Sequence, residues 1–326
     1  MGKNIQLCGL GNALVDLLFE VSFEEMAQLP IRIGEMRHCT EQEQLDMLGL
    51  LRGKKHAICS GGSAANSIIA FAKFGGRSAY SSVLGNDEFG HFYTKEFKEI
   101  GIDLYPRFLD GRASGTCVVL ITPDSERSMH TCLAATAEFG KNDVYPEVIA
   151  QSEWIYLEGY KFVEEASTEA LFFGVDEARK HGAKVSLTFS DVFMIENHRE
   201  GFNKAVPMCD LVFCNENEAV CYTGKPDSQT AFEALCSTVP NVCMTKGAAG
   251  SIVRFDGKTY EIPAFKATPV DTTGAGDMYA GAFLYGITNC LGAEQAGRLA
   301  SLASAKVVSQ IGARLRDNHS DLLKMI

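Results

Sequence analysis

The chain has 326 residues, of which 46% are hydrophobic and 22% are charged, and its formal net charge is −11 with a pI near 5.2. This acidic balance argues against general binding of nucleic acid or of an anionic membrane surface. The length permits one large domain or two smaller ones.

The 11 cysteines include no Cys-x-x-Cys pair, and the seven histidines have no metal-binding spacing, which argues against a disulfide framework or a zinc site. The N-terminal stretch lacks the apolar core of a signal peptide, and no uncharged apolar run reaches about 18 residues. We therefore expect a soluble protein of the reducing cytoplasm, with no membrane or nucleic-acid partner.

Short apolar runs alternate with amphipathic stretches along the chain. We predict strands at residues 5–11, 78–85, 154–159, 184–190, 211–215 and 241–245, and helices that include 63–74, 88–100 and 168–181. The alternation indicates a doubly wound, mostly parallel sheet with helices on both faces, and uninterrupted apolar strands such as "LVFC" suit burial on both sides. The fold class is therefore α/β.

Two regions depart from this alternation. Residues 12–40 and about 104–133 carry strand-like segments without intervening helices. We predict that they pair into a small discontinuous β-sheet on the rim of a single domain spanning residues 1–326, where the sheet would form a lid over a ligand cleft.

The stretch "DTTGAGDMYAGAF" places two glycines at the expected start of a helix, near Thr273 or Gly274. The N–H groups of Gly274, Ala275 and Gly276 would lie at the positive end of the helix dipole and bind an anion. The alternative is that Asp271 or Thr273 caps the helix and the glycines permit tight packing. Glycines in a first turn weaken a helix, which favours the anion site.

The carboxylate of Asp277 follows these glycines directly. Beside a bound phosphate it makes chemical sense as a general base that takes a proton from an attacking hydroxyl, while the anion site stabilises the transferred phosphoryl group. The chain has no GxxxxGK[ST] sequence, so this is not a P-loop.

A second glycine turn, "CSGGSAANSIIAFAKFGG", also precedes a predicted helix. Gly61 and Gly62 would let a ligand touch the backbone, and Asn66 lies one turn into the helix. The alternative is a simple turn in which Ser63 is the N-cap.

The segment "GLGNALVD" resembles the start of a dinucleotide fingerprint but lacks the third glycine and the later acidic residue, so an NAD-dependent dehydrogenase is a remote alternative. Asp16 in this segment is either a ligand for vicinal hydroxyls or a solvated turn carboxylate.

Polar residues also follow two later strands. Asn215 and Glu218 have the spacing of a capping box, and they could instead hold Mg²⁺ through water. Thr245, Gly247 and Gly250 form either a hairpin turn or a nucleotide-contacting loop.

Within the predicted lid, Arg127 is either a surface residue or an arginine that closes onto the transferred phosphate.

Taken together, these motifs resemble the PfkB, or ribokinase-like, family of carbohydrate and nucleoside kinases. The strongest matches are "GGSAANSIIAFAKFGG" and "DTTGAGDMYAGAF", and the segments "GNALVD", "GNDEFG", "NENEA", "TKGAAG" and "ASAKVVSQIGAR" also correspond. The resemblance covers nearly the whole chain. It implies a doubly wound sheet with a β-lid, and ATP-dependent phosphorylation of a hydroxymethyl group.

The resemblance also implies roles for individual residues. Asp277 would be the catalytic base, and Gly274 to Gly276 the anion hole. Asp16, Gly62 and Asn66 would bind the hydroxyl groups of a sugar, and Asn215 and Glu218 would bind Mg²⁺ and the phosphates. Thr245, Gly247 and Ser301 would line the nucleotide pocket. A K⁺ ion would bind near Asp271, as it does in some members. The resemblance leaves both a monomer and a homodimer open, because the lid is a dimer interface in some relatives and not in others.

Several details resemble adenosine kinases more than ribokinases or fructokinases, namely "GNALVD", "GTCVVLIT", "HTCLAATAEF" and "IYLEGYKFV". Leu14, Leu133 and Tyr160 could supply an apolar cradle for a base. The chain departs from this pattern at Tyr160-Lys161, where adenosine kinases often have paired aromatics. We predict phosphorylation of adenosine to AMP; a sugar kinase and a non-catalytic nucleotide or sugar sensor are the alternatives, and the intact Gly-Ala-Gly-Asp sequence argues against the sensor.

Overall fold

Two sheets of unequal size organise the residues that the computed structural model describes, 3–124, 126–316 and 318–326. Met1, Gly2, Ser125 and Asp317, which fall within the predicted domain, lie outside the described residues. The strands are β1 Ile5–Leu10, β2 Leu14–Glu20, β3 Met36–His38, β4 Ala57–Gly61, β5 Ser78–Gly85, β6 Asp103–Leu109, β7 Gly115–Ile121, β8 Arg127–Cys132, β9 Ser152–Glu158, β10 Lys184–Thr188, β11 Leu211–Asn215, β12 Asn241–Thr245, β13 Ser251–Phe255 and β14 Lys258–Ile262.

Helices surround the larger sheet and cover one face of the smaller one. They are α1 Phe23–Met26, α2 Glu41–Leu50, α3 Ser63–Lys73, α4 Glu88–Ile100, α5 Pro146–Ala150, α6 Glu165–Lys180, α7 Val192–Asn197, α8 Arg199–Ala205, α9 Glu216–Thr223, α10 Ser228–Cys236, α11 Ala275–Thr288, α12 Ala293–Val307 and α13 His319–Leu322. None of the helices in the described part of the chain has the length and apolar character needed to cross a membrane.

The larger sheet has the strand order β14-β13-β12-β11-β10-β9-β1-β5-β6. Its strands are parallel from β6 to β12, and β13 and β14 are antiparallel additions at one edge. Neighbouring residues of one strand enter opposite layers: Leu211 and Phe213 join the core that contains α3, α11 and α12, whereas Val212 joins the core that contains α6 and α10. The predicted doubly wound α/β fold is confirmed.

The smaller sheet has the order β3-β8-β7-β2-β4. Along β2 the side chains alternate, because successive residues of a strand point to opposite faces. Val15, Leu17 and Phe19 are buried in a core that includes Met26 of α1 and Met47 of α2, so these helices cover the outer face of the sheet. We call this sheet with α1 and α2 the lid.

The lid differs from its prediction in two strands. β6, which lies within the predicted segment 104–133, pairs in parallel with β5 at the edge of the larger sheet, and β4, which the prediction omitted, pairs with β2 in the lid. The helix α4 between β5 and β6 makes them a βαβ unit, which explains why β6 stays in the parallel sheet. Within the described residues, the chain crosses between the two sheets four times, at residues 11–13, 62, 110–114 and 133.

Helices α3 and α11 lie against each other with a close backbone approach. A Cβ atom placed on Gly281 of α11 would lie 2.3 Å from the carbonyl oxygen of Ser67 in α3. Real Cβ contacts are never this short, so only glycine permits this separation. The packing sets the first turns of the two helices side by side, so that Ser63 and Asn66 of α3 reach Asp277 of α11. We call the space between these first turns and Asp16 of the lid the cleft.

Candidate active site

The start of α11 forms one wall of the cleft. Its N-cap is Gly274, with φ +74° and no side-chain hydrogen bond, and a Cβ at this residue would lie 2.5 Å from the Cβ of Ala313. Asp271 accepts the N–H of Thr273 at 2.9 Å, ahead of the helix. Neither residue suggested as a cap therefore caps α11, and Gly274 is required by both its backbone conformation and its packing.

The first turn of α11 presents N–H groups that have no acceptor within the helix. The N–H of Ala275 donates to the carbonyl of Thr272 at 3.2 Å. A Cβ on Gly276 would meet no heavy atom within 4 Å, so this residue faces open space. The predicted anion site is thus open at Gly276, while the N–H of Ala275 is used internally in this arrangement.

The carboxylate of Asp277 is held by two residues of α3. Ser63 Oγ donates to Oδ1 at 2.7 Å, and Asn66 Nδ2 donates to Oδ2 at 3.3 Å. Burial raises the pKa of Asp277 to about 6, although these two hydrogen bonds oppose the shift. The carboxylate is therefore ionised at neutral pH but basic enough to accept a proton. Gly62, not Ser63, is the N-cap of α3, so the capping alternative for Ser63 is wrong.

Asp16 faces the cleft from strand β2 of the lid. A Cβ on Gly61 of the adjacent strand would lie 2.4 Å from an Asp16 carboxylate oxygen, and one on Gly62 would lie 2.3 Å from the carbonyl oxygen of Asn12. These two glycines therefore make room for Asp16 and for the β1–β2 connection. Burial raises the pKa of Asp16 to about 6, and the positive charges of Arg314 and Arg127 limit the rise.

Arg127, at the start of β8, reaches the segment before α11. Its Nε lies 2.9 Å from Oδ2 of Asp271, which also accepts the N–H of Gly312 at 2.7 Å. Both partners are buried. Because the guanidinium and two N–H groups already surround the Asp271 carboxylate, this arrangement does not fit the expected K⁺ ion.

The predicted base-binding residues lie at the lid crossings and beside them. Leu14 and Leu133 both adjoin Gly115, where a Cβ would lie 2.7 Å from a Leu14 methyl group and from the Leu133 carbonyl oxygen. Tyr160 is half-buried, and burial together with the nearby carboxylate of Asp191 raises its pKa. The structure therefore brings Leu14 and Leu133 together.

Asn215 and Glu218 at the start of α9 form a complete capping box, as their spacing suggested. Glu218 accepts the backbone and side-chain N–H groups of Asn215 at 2.9 and 2.8 Å. Burial and, to a lesser extent, the charges of Asp191 and Asp277 raise the pKa of Glu218 to about 7, although the hydrogen bond from the Asn215 N–H opposes the shift. The described residues hold no group of three or more acidic, histidine or cysteine side chains that could bind a metal directly, so Asn215 and Glu218 would hold Mg²⁺ through its water molecules.

Some of the residues predicted to line the nucleotide pocket are already engaged in hydrogen bonds or close packing, whereas others are free to contact a ligand. Ser301 donates its hydroxyl to the carbonyl of Pro263 at 2.9 Å, and a Cβ on Gly250 would lie 2.1 Å from the carbonyl of Ile262, so both have structural roles. Gly247 has φ +53° and faces open space. Thr245 ends strand β12 at the same edge of the sheet as Asn215, with which it pairs. Thr245 and Gly247 are therefore better placed to contact a ligand.

The profile of the pfkB family carbohydrate kinases matches residues 35–320. The chain belongs to this family. It is 26% identical over 273 residues to a ribokinase of Haemophilus influenzae, covering 81% of this chain and 86% of the relative. Among solved structures, an adenosine kinase from Sinorhizobium meliloti is 30% identical with a TM-score of 0.89, covering 98% of this chain and 99% of that one. A probable sugar kinase from Rhizobium etli is 28% identical with a TM-score of 0.90, covering 100% and 99%.

This PfkB kinase is a phosphotransferase with an alcohol group as acceptor, and family membership excludes the dehydrogenase alternative. The glycines of "GLG" instead accommodate neighbours: a Cβ on Gly9 would lie 2.7 Å from Ile68, and one on Gly11 would lie 2.7 Å from Ala64. They permit α3 to pack closely on β1.

A cluster that the sequence did not predict supports Asn66. Arg314 donates to Glu96 at 3.0 Å and to Ser60 Oγ at 3.0 Å, and its Nε lies 3.5 Å from Asn66 Oδ1. A guanidinium only donates, so it keeps the amide oxygen of Asn66 on its side and turns the amide N–H groups toward Asp277. The motif "QIGAR" ends in this arginine, but nothing local assigned it a partner.

Proposed function

We propose that this kinase transfers the γ-phosphoryl group of ATP to the hydroxymethyl group of a nucleoside, with adenosine as the leading candidate and AMP as the product. The observation that carries the proposal is the placement of Asp277, a carboxylate of raised pKa, at an open helix N-terminus and between two hydrogen-bond donors of α3. This arrangement combines a proton acceptor with an anion site in one turn of helix.

In the proposed reaction the acceptor hydroxyl oxygen forms a bond to the γ-phosphorus as the bond to the β–γ bridging oxygen breaks. Asp277 takes the hydroxyl proton, and ADP leaves with the bridging oxygen. The N–H of Gly276 would stabilise the charge on the transferred group, together with that of Ala275 if it leaves the carbonyl of Thr272. Arg127 would do so if it leaves Asp271. Asp16 and Asn66 would orient the acceptor through its hydroxyl groups.

Asn215 and Glu218 would hold the hydrated Mg²⁺ that accompanies ATP, with Thr245 and Gly247 beside the nucleotide. When bound, Mg²⁺ would offset the negative charge of the phosphates and of the surrounding carboxylates. No role for K⁺ is proposed, because Arg127 lies beside Asp271.

A nucleoside is favoured because the cleft side of the lid crossings carries Leu14 and Leu133, which are only partly buried and could cover the face of a base. A sugar acceptor is the second candidate. Lys161 stands where an aromatic residue was expected for a base pocket, and the similar proteins include a ribokinase.

The test measures ATP consumption by the purified full-length protein with adenosine, inosine, ribose, fructose and other hexoses. A kcat/KM that is highest for adenosine supports the proposal. A preference for ribose or for a hexose replaces the nucleoside with a sugar. Failure to consume ATP with any of them would revive the alternative of a non-catalytic sensor.

We further propose a cytoplasmic location, because all 11 cysteines are free thiols, and fractionation of expressing cells checks it. The proposed partners are ATP and the small-molecule acceptor alone, with no nucleic acid and no membrane. A monomer is favoured over a homodimer, because α1 and α2 already cover the outer face of the lid sheet. Sedimentation equilibrium distinguishes the two.

A further inference from the structure

A pair of buried charged residues lies where the larger sheet meets the lid. Glu158, at the end of β9, and Lys161, three residues later, are 1% and 3% exposed. Charges are almost never this deeply buried without a set of partners that repays their desolvation. The proposed phosphotransfer uses neither side chain, so their partners indicate what they do.

Glu158 binds two of the chain segments that pass between the sheets. Its carboxylate accepts the N–H of Asn12 at 2.6 Å, in the β1–β2 crossing, and the N–H of Ala64 at 3.2 Å, in the first turn of α3 after the β4–α3 crossing. One carboxylate therefore joins the two crossings that position Asp16 and Asn66.

Lys161 also binds the β1–β2 crossing, and in addition it binds the crossing that follows β8. Its Nζ donates to the side-chain oxygen of Asn12 at 2.9 Å and to the carbonyl of Thr136 at 2.7 Å, just after the β8 crossing, and it lies over the ring of Phe139. Thr136 in turn accepts the N–H of Ala13 on its hydroxyl at 3.1 Å. Because lysine only donates, the amide of Asn12 must turn its oxygen inward and its nitrogen away from Lys161.

The remaining crossing is held by a different residue. Ser114 donates its N–H and its hydroxyl to Asp87, the N-cap of α4, at 2.8 and 2.6 Å. Three of the four crossings thus converge on Glu158 and Lys161, whereas the fourth is held by Asp87 and by the segment after β8, where the N–H of Ala135 donates to the carbonyl of Ala113 at 3.0 Å. A charged pair is not needed to fill space here, but it can bind backbone groups of several segments at once.

We propose that Glu158 and Lys161 are positioning residues that set the lid against the larger sheet, and through it the affinity for the acceptor substrate. They act through Asn12, Ala64 and Thr136 without touching the reacting atoms. The departure from paired aromatics at Tyr160-Lys161 then marks a site that holds the lid in place. The kinetic part of this inference rests on the proposed phosphotransfer, whereas its structural part does not.

The test compares Lys161→Met, Glu158→Gln and the double variant with the wild type in the full-length chain. The control is Asp210→Asn, which loses a carboxylate that accepts the N–H of Val185 at 2.8 Å, at the amino end of β10 and away from the cleft. For Lys161→Met we expect the KM of the acceptor to rise about tenfold, with smaller changes in kcat and in the KM of ATP. The double variant should recover part of this loss, because Glu158 and Lys161 share Asn12 as a partner and residues with a shared partner couple. The control should leave the KM of the acceptor unchanged.

Hydrogen exchange provides a readout that does not depend on activity. In Lys161→Met we expect faster exchange in residues 11–20 and 115–132 than in the wild type, with β10 and β11 unchanged. Exchange accelerated equally in both sheets, or an unchanged KM in a variant that exchanges normally, overturns the inference. If the wild type phosphorylates no acceptor, the proposed function fails and the exchange pattern alone decides the structural part.

Discussion

Helices α3 and α11 begin in the same way but face different partners. Each follows a glycine of positive φ, +105° at Gly62 and +74° at Gly274, and neither has a side-chain cap. At α3 the N–H of Ala64 donates to the buried carboxylate of Glu158, whereas at α11 Gly276 faces open space. A glycine turn before a helix therefore either binds another segment of the protein or stays open to an external anion, depending on whether the protein supplies its own carboxylate.

The largest expected effect comes from removing the base at the start of α11. Asp277→Asn keeps both donors from α3 within reach but cannot take up the hydroxyl proton, so kcat should fall by about 10²–10⁴-fold. The KM of ATP and the melting temperature should change little. Steady-state kinetics and thermal unfolding measure both. Wild-type turnover in this variant would show that the start of α11 has only a structural role, like the start of α3.

Two matched glycine substitutions distinguish a glycine that leaves space for a ligand from one that the backbone conformation requires. Gly276→Ala places a methyl group in open space, and we expect the kcat/KM of ATP to fall about tenfold without loss of stability, because the methyl crowds the phosphoryl group. Gly274→Ala should instead lower the free energy of unfolding by about 1–3 kcal/mol, because of its positive φ, with a further loss from overlap with Ala313.

Chemical denaturation and steady-state kinetics on both variants test this separation. Equal losses of stability in the two variants would show that Gly276 is also needed for packing, and the α11 turn would then resemble the α3 turn.

The pH dependence of kcat offers a smaller effect that needs no substitution. Burial raises the pKa of Asp277 to about 6, and only the ionised form can accept a proton. Activity should therefore be constant above about pH 7 and fall about tenfold per unit below about pH 6. A pH–rate profile of the wild type, with stability monitored over the same range, checks this. A profile that stays flat down to pH 5 would contradict the role of Asp277.

The smallest expected effect concerns monovalent cations next to α11. Because Arg127 occupies the neighbourhood of Asp271, replacing K⁺ by tetramethylammonium at constant ionic strength should leave kcat unchanged. Arg127→Gln serves as the matched variant, since it exposes the Asp271 carboxylate and should introduce a dependence on K⁺. A several-fold loss of activity in the wild type without K⁺ would show that Arg127 moves away during turnover.

The sequence predicted the parallel sheet and both glycine turns because the signals are local. Hydrophobic periodicity marks a strand within a few residues, and "DTTGAGD" carries both the glycines and the acid. The assignment of β6 to the lid failed because an edge strand is partly exposed and resembles a lid strand. Pro106 within it was a usable signal, since proline in a sheet is largely confined to edge strands.

The contacts that complete the site were not predictable because they join distant parts of the chain. Arg314 approaches Asn66 from 248 residues away, and Glu158 binds Asn12 across 146 residues. The pattern of a single chain gives no information on such pairs. The sequence suggests Ser63 only as a cap, because its hydrogen bond to Asp277 depends on the packing of two helices that are distant in sequence.

The close approach at Gly281 has a consequence for engineering the protein. Taken by itself, a glycine in the middle of a helix invites replacement by alanine, which favours isolated helices by about 1 kcal/mol. Here the added methyl would overlap the backbone of α3 and widen the gap between two helices that share the hydrogen bonds to one carboxylate. Selecting stabilising substitutions by helix propensity alone would therefore include this position, where alanine favours the helix but misaligns the reacting groups.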